Sequence, residues 1–154
     1  MEKALIRPVP SESYPPTILH VRVNGKPAGK ARPRFFVAGG HVHAYTPKKT
    51  SDYEAEIRDA FLKAYGNEKI IDEKAIRVSM TAVFEPSKSL SKAKRAALIG
   101  KPYLGKPDAD NICKCLDALN GIAWTDDRQI AEMQIRKMYG EQSYLEIEIT
   151  VIDD

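Results

Sequence analysis

Cysteine is nearly missing from this chain of 154 residues, and the two that occur, Cys113 and Cys115, flank one lysine. Side chains so close together on a helix point in different directions, so no disulfide between them is expected. Two sulfurs are also too few for a soft-metal site. Both cysteines read as small, reduced residues that pack a helix. Long apolar runs are missing as well, and nothing approaches the length needed to span a bilayer. The start, Met1-Glu-Lys-Ala-Leu-Ile-Arg-Pro, lacks the apolar stretch of a signal peptide. A cytoplasmic protein with no membrane partner is the expectation. Repeats, low-complexity segments and a second domain are absent too. What remains, 43% hydrophobic and 29% charged, is the composition of a folded domain large enough to bury a core.

The net charge of +3 is mild, but its distribution is uneven. Lys26, Lys30, Arg32 and Arg34 form a basic run without an acid, followed by Lys48 and Lys49. A second run holds Lys88, Lys92, Lys94, Arg95, Lys101 and Lys106 against Glu85 alone, while the end is acidic. Basic surface around carboxylates suits a polyanion that also bridges metal ions. A solvated charged face is the plain alternative.

Residues 1 to 16 contain four prolines and read as a loose arm, with one domain over residues 17 to 154. Ile18 to Asn24 alternates as a strand. Phe35-Phe-Val and Val42-His-Ala-Tyr45, on either side of Gly39-Gly40, suggest a hairpin. Pro47 and Thr50-Ser51-Asp52 read as the entry to a helix that carries Tyr53, Ile57, Ala60, Phe61 and Ala64 on one stripe and ends at Gly66. Ala75 to Phe84 alternates as a second strand, and residues 89 to 100 form a short basic helix with cap signals at both ends. Gln129 to Met138 and Tyr144 to Ile152 read as a terminal strand pair around Gly140, the last strand having one covered and one wetter face. The fold class is α/β in the broad sense (α+β), with helices packed on a mixed β-sheet in a single compact domain.

The most informative segment is Lys106-Pro-Asp-Ala-Asp-Asn-Ile-Cys-Lys114, followed by Asp117-Ala-Leu-Asn-Gly and Trp124-Thr-Asp-Asp-Arg-Gln-Ile130. Carboxylates at this density repel and raise one another's pKa. A divalent cation removes that penalty, so hard-metal ligation by oxygen is the first idea. Wound as a helix, residues 109 to 120 put Ile112, Cys115, Leu116 and Leu119 on an apolar stripe and Asp110, Lys114 and Asp117 on the other side. Asp108 falls just before the helix, at an N-cap position. N-capping and surface charge explain Asp108 alone. They do not explain the whole set.

These motifs resemble the RusA family of Holliday junction resolvases, and Lys30-Ala-Arg-Pro-Arg34 with Tyr45-Thr-Pro-Lys-Lys-Thr50 resembles its phage and prophage branch. The likeness runs over roughly residues 18 to 152. It implies a RusA-like fold and a Mg²⁺-dependent endonuclease, with Mn²⁺ as a substitute, acting as a homodimer on branched DNA, the four-way junction. Carried over by position, the metal-binding and catalytic aspartates are Asp108, Asp110 and Asp127, and the essential lysine is Lys114. Asp126 and Asn111 fall to a supporting shell. One residue fewer than the usual family spacing separates Lys114 from Asp117-Ala-Leu, which turns Asp117 by about a third of a helical circle and leaves it a supporting candidate as well.

Lys30, Arg32, Arg34, Lys48, Lys49 and Lys106 are the expected DNA contacts. Lys114 is expected to stabilise phosphoryl charge or position the attacking water, against a plain i, i+4 pairing with Asp110. His41 and His43 share a face of their hairpin strand and read as side chains near DNA rather than metal ligands. Tyr45, Phe35 and Phe36 are candidates for contact with bases, although core packing is the better reading of the two phenylalanines, and Trp124 reads as core shielding the site. Two other functions stay open: a non-catalytic DNA-binding protein of the same fold, or a nuclease of wider taste acting on flaps and forks.

Overall fold

The computed structural model describes residues 18–68 and 70–152. The expected arm of residues 1 to 16 and the last two aspartates lie outside the described residues. In chain order the elements are β1 (Ile18–Asn24), β2 (Arg34–Ala38), β3 (His41–Tyr45), α1 (Lys48–Tyr65), β4 (Ile76–Phe84), α2 (Lys92–Leu98), α3 (Ala109–Cys113), β5 (Ile130–Tyr139) and β6 (Tyr144–Val151). Turns of 3₁₀ helix occupy Gly66–Glu68, Lys114–Leu119 and Asp127–Gln129. Among the described residues, no helix is long and apolar enough to cross a membrane.

Four strands form a mixed sheet in the order β1-β6-β4-β5, and β2 and β3 pair only with each other. β4 is central because it is buried nearly throughout: Ile76, Val78, Met80, Ala82, Val83 and Phe84 are all inaccessible. The inward side chains of β1 and β6, Leu19, Val21 and Val23 with Leu145, Ile147 and Ile149, complete the sheet's apolar face. Helix α1 covers that face through Tyr53, Ile57 and Phe61, four residues apart. At its far end the Tyr65 hydroxyl donates to the His20 carbonyl at 3.0 Å and accepts from the His20 N–H at 2.6 Å, locking α1 to β1.

Three sequence expectations are corrected. β5 and β6 are not a pair: β4 lies between them, parallel to β5 and antiparallel to β6. The most apolar strand takes the centre, and the chain steps over its end at Gly140, whose N–H donates to Phe84 O at 3.0 Å. A Cβ there would lie 2.3 Å from Val83 Cγ1, so glycine makes the crossing possible. Residues 109 to 120 are not one α-helix either. The chain tightens into 3₁₀ winding after Cys113, as helix ends commonly do, and reverses at Gly121, whose N–H reaches Trp124 O at 2.7 Å. The expected stripe is nonetheless buried: Ile112, Cys115, Leu116 and Leu119. Phe35 and Phe36 are outside the core, because among the described residues no other element covers the β2–β3 hairpin. Helix α1 begins at Lys48 behind Pro47, in keeping with the helix entry read at Pro47 and Thr50-Ser51-Asp52.

Parallel neighbours need a long crossover. The one joining β4 to β5 spans residues 85 to 129, and every aspartate of the central motif rides on it.

Candidate active site and nucleic-acid interface

The loop that delivers the aspartates is held by an aromatic stack. Tyr103 lies flat on Phe84, with centroids 3.9 Å apart, and Tyr139 meets it edge-on. Its N–H donates to Lys137 O at 3.1 Å and its hydroxyl to Lys106 O at 3.2 Å. Lys137 Nζ closes the loop onto Gly105 O at 2.7 Å. Asp108 is therefore anchored through β4 and β5, not at the tip of a free loop.

Asp108 occupies the N-cap of α3 in an extended conformation, yet its side chain makes no capping hydrogen bond. Its backbone carbonyl accepts from Asn111 and Ile112, which leaves the carboxylate uncommitted. Asp110 follows in the first turn with a 73% exposed side chain, and Lys114 Nζ stands 3.8 Å from its Oδ2. Lys114 also donates to Asn111 Oδ1 at 3.5 Å, a long contact. The helix thus presents an acid, an ammonium and an amide outward while its other side is buried.

The adjacent pair Asp126 and Asp127 divides its roles. Asp126 accepts from the Arg128 N–H at 2.9 Å and takes part in a capping box with Gln129. The Arg128 N–H foremost, and then the Arg128 guanidinium with its Nε 3.1 Å from Asp126 Oδ2, hold this carboxyl below the usual range. Asp127 Oδ1 accepts from the indole N–H of buried Trp124 at 2.8 Å, and Asp127 itself is exposed. Trp124 is core, as expected, and it also orients this carboxylate. Asp127 lines a cleft with Cys113, Leu116, Asp117 and Met133. Burial, and secondarily the Asp110 charge, push the Cys113 thiol up. Cys115 is pushed up to about 12 by burial. Both cysteines are free.

Asp108 and Asp110 are carried by the start of α3 and Asp127 by the turn before β5, and the three carboxylates are not drawn into one ligand cluster. Among the described residues, the trio with ligand atoms within 4.8 Å of one another is His20, Glu146 and Glu148, on the open face of the sheet. Sequence reading missed that group, since strand pairing between β1 and β6 creates it. By donor chemistry the exposed carboxylates and the Asn111 amide oxygen suit a hard divalent cation, with the Lys114 ammonium standing beside Asp110.

A cleft of about 650 Å³ opens beside Asp108 and Asn111, with Lys26, Lys30, Lys49 and Lys106 in its walls. Among the described residues no carboxylate pairs with Arg32, Arg34, Lys49 or Lys106, while Lys48 pairs with Asp52. Lys30 is committed elsewhere. Its Nζ lies 2.8 Å from Asp117 Oδ2 and 3.0 Å from Glu54 Oε1, and these partners, Asp117 first, raise its pKa. Asp117 therefore braces the strand leg rather than joining the outward acids. Glu54 went unnoticed in the sequence because its partner is on another element. The same leg meets α3 directly: Lys30 N–H donates to Asn111 O at 2.8 Å.

The family model described as Endodeoxyribonuclease RusA matches residues 24–150, a stretch that contains the hairpin, the basic cleft and the whole aspartate shoulder. The Bacillus subtilis (strain 168) protein described as "Uncharacterized protein YqaN" is 32% identical over 134 residues, covering 82% of this chain and 92% of that protein.

Proposed function

This chain belongs to the RusA family of endodeoxyribonucleases, DNA hydrolases of the Holliday junction resolvase class, and from that membership we propose that Asp108, Asp110, Asp127 and Lys114 form its catalytic centre. Nucleases of the family generally depend on a divalent metal, and the assignment here is Mg²⁺, with Mn²⁺ as a substitute. The observation that carries this reading is the uncommitted carboxylate of Asp108 beside Asp110 and Lys114, at the mouth of a lysine-lined cleft. Pure DNA binding gains nothing from acids that face phosphate.

Asp108, Asp110 and Asp127 would hold the cation, which when bound supplies an activated water and screens charge on the phosphoryl oxygens. Lys114, beside Asp110, donates to phosphoryl oxygens as their charge grows. Trp124 keeps Asp127 aimed by its indole hydrogen bond and keeps bulk water from the rear of the site. Lys49, Lys106, Arg32 and Arg34 hold the DNA backbone, with Lys48 and Lys30 flanking them. Asn111, Asp117 and Asp126 support the arrangement.

The substrate is a four-way junction, resolved in the cytoplasm during recombination or repair, and the Lys30-Ala-Arg-Pro-Arg34 motif favours a prophage setting. One chain carries one aspartate shoulder, so paired symmetrical nicks call for a homodimer about a two-fold axis. A labelled four-way junction, incubated with and without Mg²⁺ beside a linear duplex of the same sequence, tests the reading. Cleavage of the junction alone, only with metal, is expected; equal cutting of both substrates, or none of either, would overturn it.

A further inference from the structure

Both strands of the β2–β3 hairpin are exposed along their whole length. Phe35, Val37 and Val42 are 68%, 72% and 71% exposed. Two strands alone are marginal in water, and exposed apolar surface of this kind marks a contact. Register puts Arg34 opposite Tyr45, Phe36 opposite His43 and Ala38 opposite His41, so these six share a face. On it the Phe36 and His43 rings stack with centroids 5.1 Å apart and planes 21° from parallel. Tyr45 leans against Phe36 at 5.8 Å. Positive φ at both Gly39 and Gly40 closes the turn tightly.

Charge says what covers this face. Residues 25 to 51 contain no acid, against Lys26, Lys30, Arg32, Arg34, Lys48 and Lys49. A second copy docking through the same face would set these cations against their equivalents; a polyanion would not. Position adds to this. Gly29, on the incoming leg, approaches α3 so closely that a Cβ would lie 2.8 Å from Pro107 Cβ and 3.0 Å from Asn111 Cβ. The Ala31 N–H donates to the buried Thr50 hydroxyl at 3.0 Å, tying that leg to α1. The segment that leads into the hairpin is thereby fixed to the helix that carries Asp110 and to the loop that carries Asp108. Rings backed by cations stack on bases with little regard to sequence. In a continuous duplex those base faces are already covered by their neighbours, whereas at a branch point the stack is interrupted.

We propose that the Phe36–His43–Tyr45 face takes unstacked bases at the branch point of the DNA and so sets the aspartate shoulder over the adjoining phosphodiester. This rests on the endonuclease reading and names the part of the substrate that is recognised. The test is fluorescence anisotropy in EDTA, where no cutting occurs, of wild type and the F36A/H43A/Y45A variant on an immobile four-way junction and on linear duplex. The preference for junction over duplex should fall about tenfold or more in the variant, with duplex affinity and circular dichroism unchanged. In Phe36→Trp, the new indole emission should be quenched by junction and not by duplex. A triple variant that keeps the wild-type ratio, together with an unquenched Phe36→Trp, overturns the proposal, and the nuclease reading stands if wild type still cuts in Mg²⁺. A wild type that binds junction and duplex equally overturns the proposal, and one that also fails to cut junction in Mg²⁺ takes the nuclease reading down with it. A triple variant that loses its dimer by light scattering and keeps its junction preference assigns the face to a second copy instead, and overturns the proposal too.

Discussion

β6 and the β2–β3 hairpin are both rich in alternating apolar and aromatic residues, and they meet opposite fates. In β6 Leu145, Ile147 and Ile149 are fully buried beneath α1, whereas in the hairpin no residue of either strand is buried. Pattern alone therefore does not decide burial. A strand's apolar side is buried where a second layer crosses it, and a hairpin paired only with itself has no second layer. The same division runs through the acids: Asp126 is consumed by a cap while Asp127, one residue on, keeps an outward carboxylate. The core resides in the packed half of the molecule, and the outward half leaves its carboxylates and cations exposed.

The largest expected effect comes from the outward half. Asp110→Asn should lower junction cleavage on the order of 10³-fold while leaving thermal stability within about 0.5 kcal/mol. Junction binding should hold or tighten, because a negative charge facing phosphate is removed. Gel assays with labelled junction measure both. If Asp110→Asn cuts at nearly the wild-type rate, or unfolds, the division between halves is wrong. Lys114→Ala should lose cleavage in the same way.

Most of this division was legible in the sequence, for local reasons. Helix stripes, the strands and the aspartate spacing depend on neighbours within a few residues, so Ile112, Cys115 and Leu119 declared their side of the helix in advance. What escaped was set by partners distant in the chain. The place of β4 between β5 and β6 depends on its being the most apolar strand, not on adjacency. Lys30 looked like a phosphate contact until Glu54 and Asp117 met it across 24 and 87 residues. Phe35 and Phe36 looked like core because hydrophobicity was visible and the missing covering layer was not.

The packed half should answer to cavity chemistry. Ile147→Ala leaves a hole in a core with no exposed atoms around it, and should cost about 2–5 kcal/mol in denaturant unfolding. Phe35→Ala, which removes more apolar atoms from an exposed site, should change stability by less than about 0.5 kcal/mol. Comparable losses in the two variants would mean that the hairpin face is packed in solution, in a dimer for instance.

Asp126 and Asp127 allow a finer test within two residues. Asp127→Asn should abolish cleavage with little change in melting temperature. Asp126→Asn should keep cleavage and melt lower, since the cap is weakened. The pH dependence has a definite sign. A carboxyl whose folded pKa is depressed stabilises the fold above its unfolded pKa and loses that contribution as pH falls through the lower folded value. The gap in melting temperature between wild type and Asp126→Asn should therefore be widest near neutral pH and close on acidification. A gap that widens in acid would refute the capping role.

The smallest effect separates basic residues that look alike in sequence. Arg32 and Arg34 have no carboxylate partner among the described residues, so each phosphate contact they make releases counterions. Replacing either with alanine should reduce the slope of log K against log salt by roughly one. Lys30 is already neutralised by Asp117 and Glu54, and DNA would have to pull it away from both. Lys30→Ala should leave the slope nearly unchanged and instead lower the melting temperature, because two carboxylates lose their shared ammonium and the leg 28–31 loses its brace to α1. Binding isotherms at a series of salt concentrations decide between the two roles. If Lys30→Ala flattens the slope as much as Arg32→Ala does, the ammonium leaves its carboxylates for phosphate when DNA arrives, and the boundary between the supporting and the DNA-facing halves moves inward by one residue.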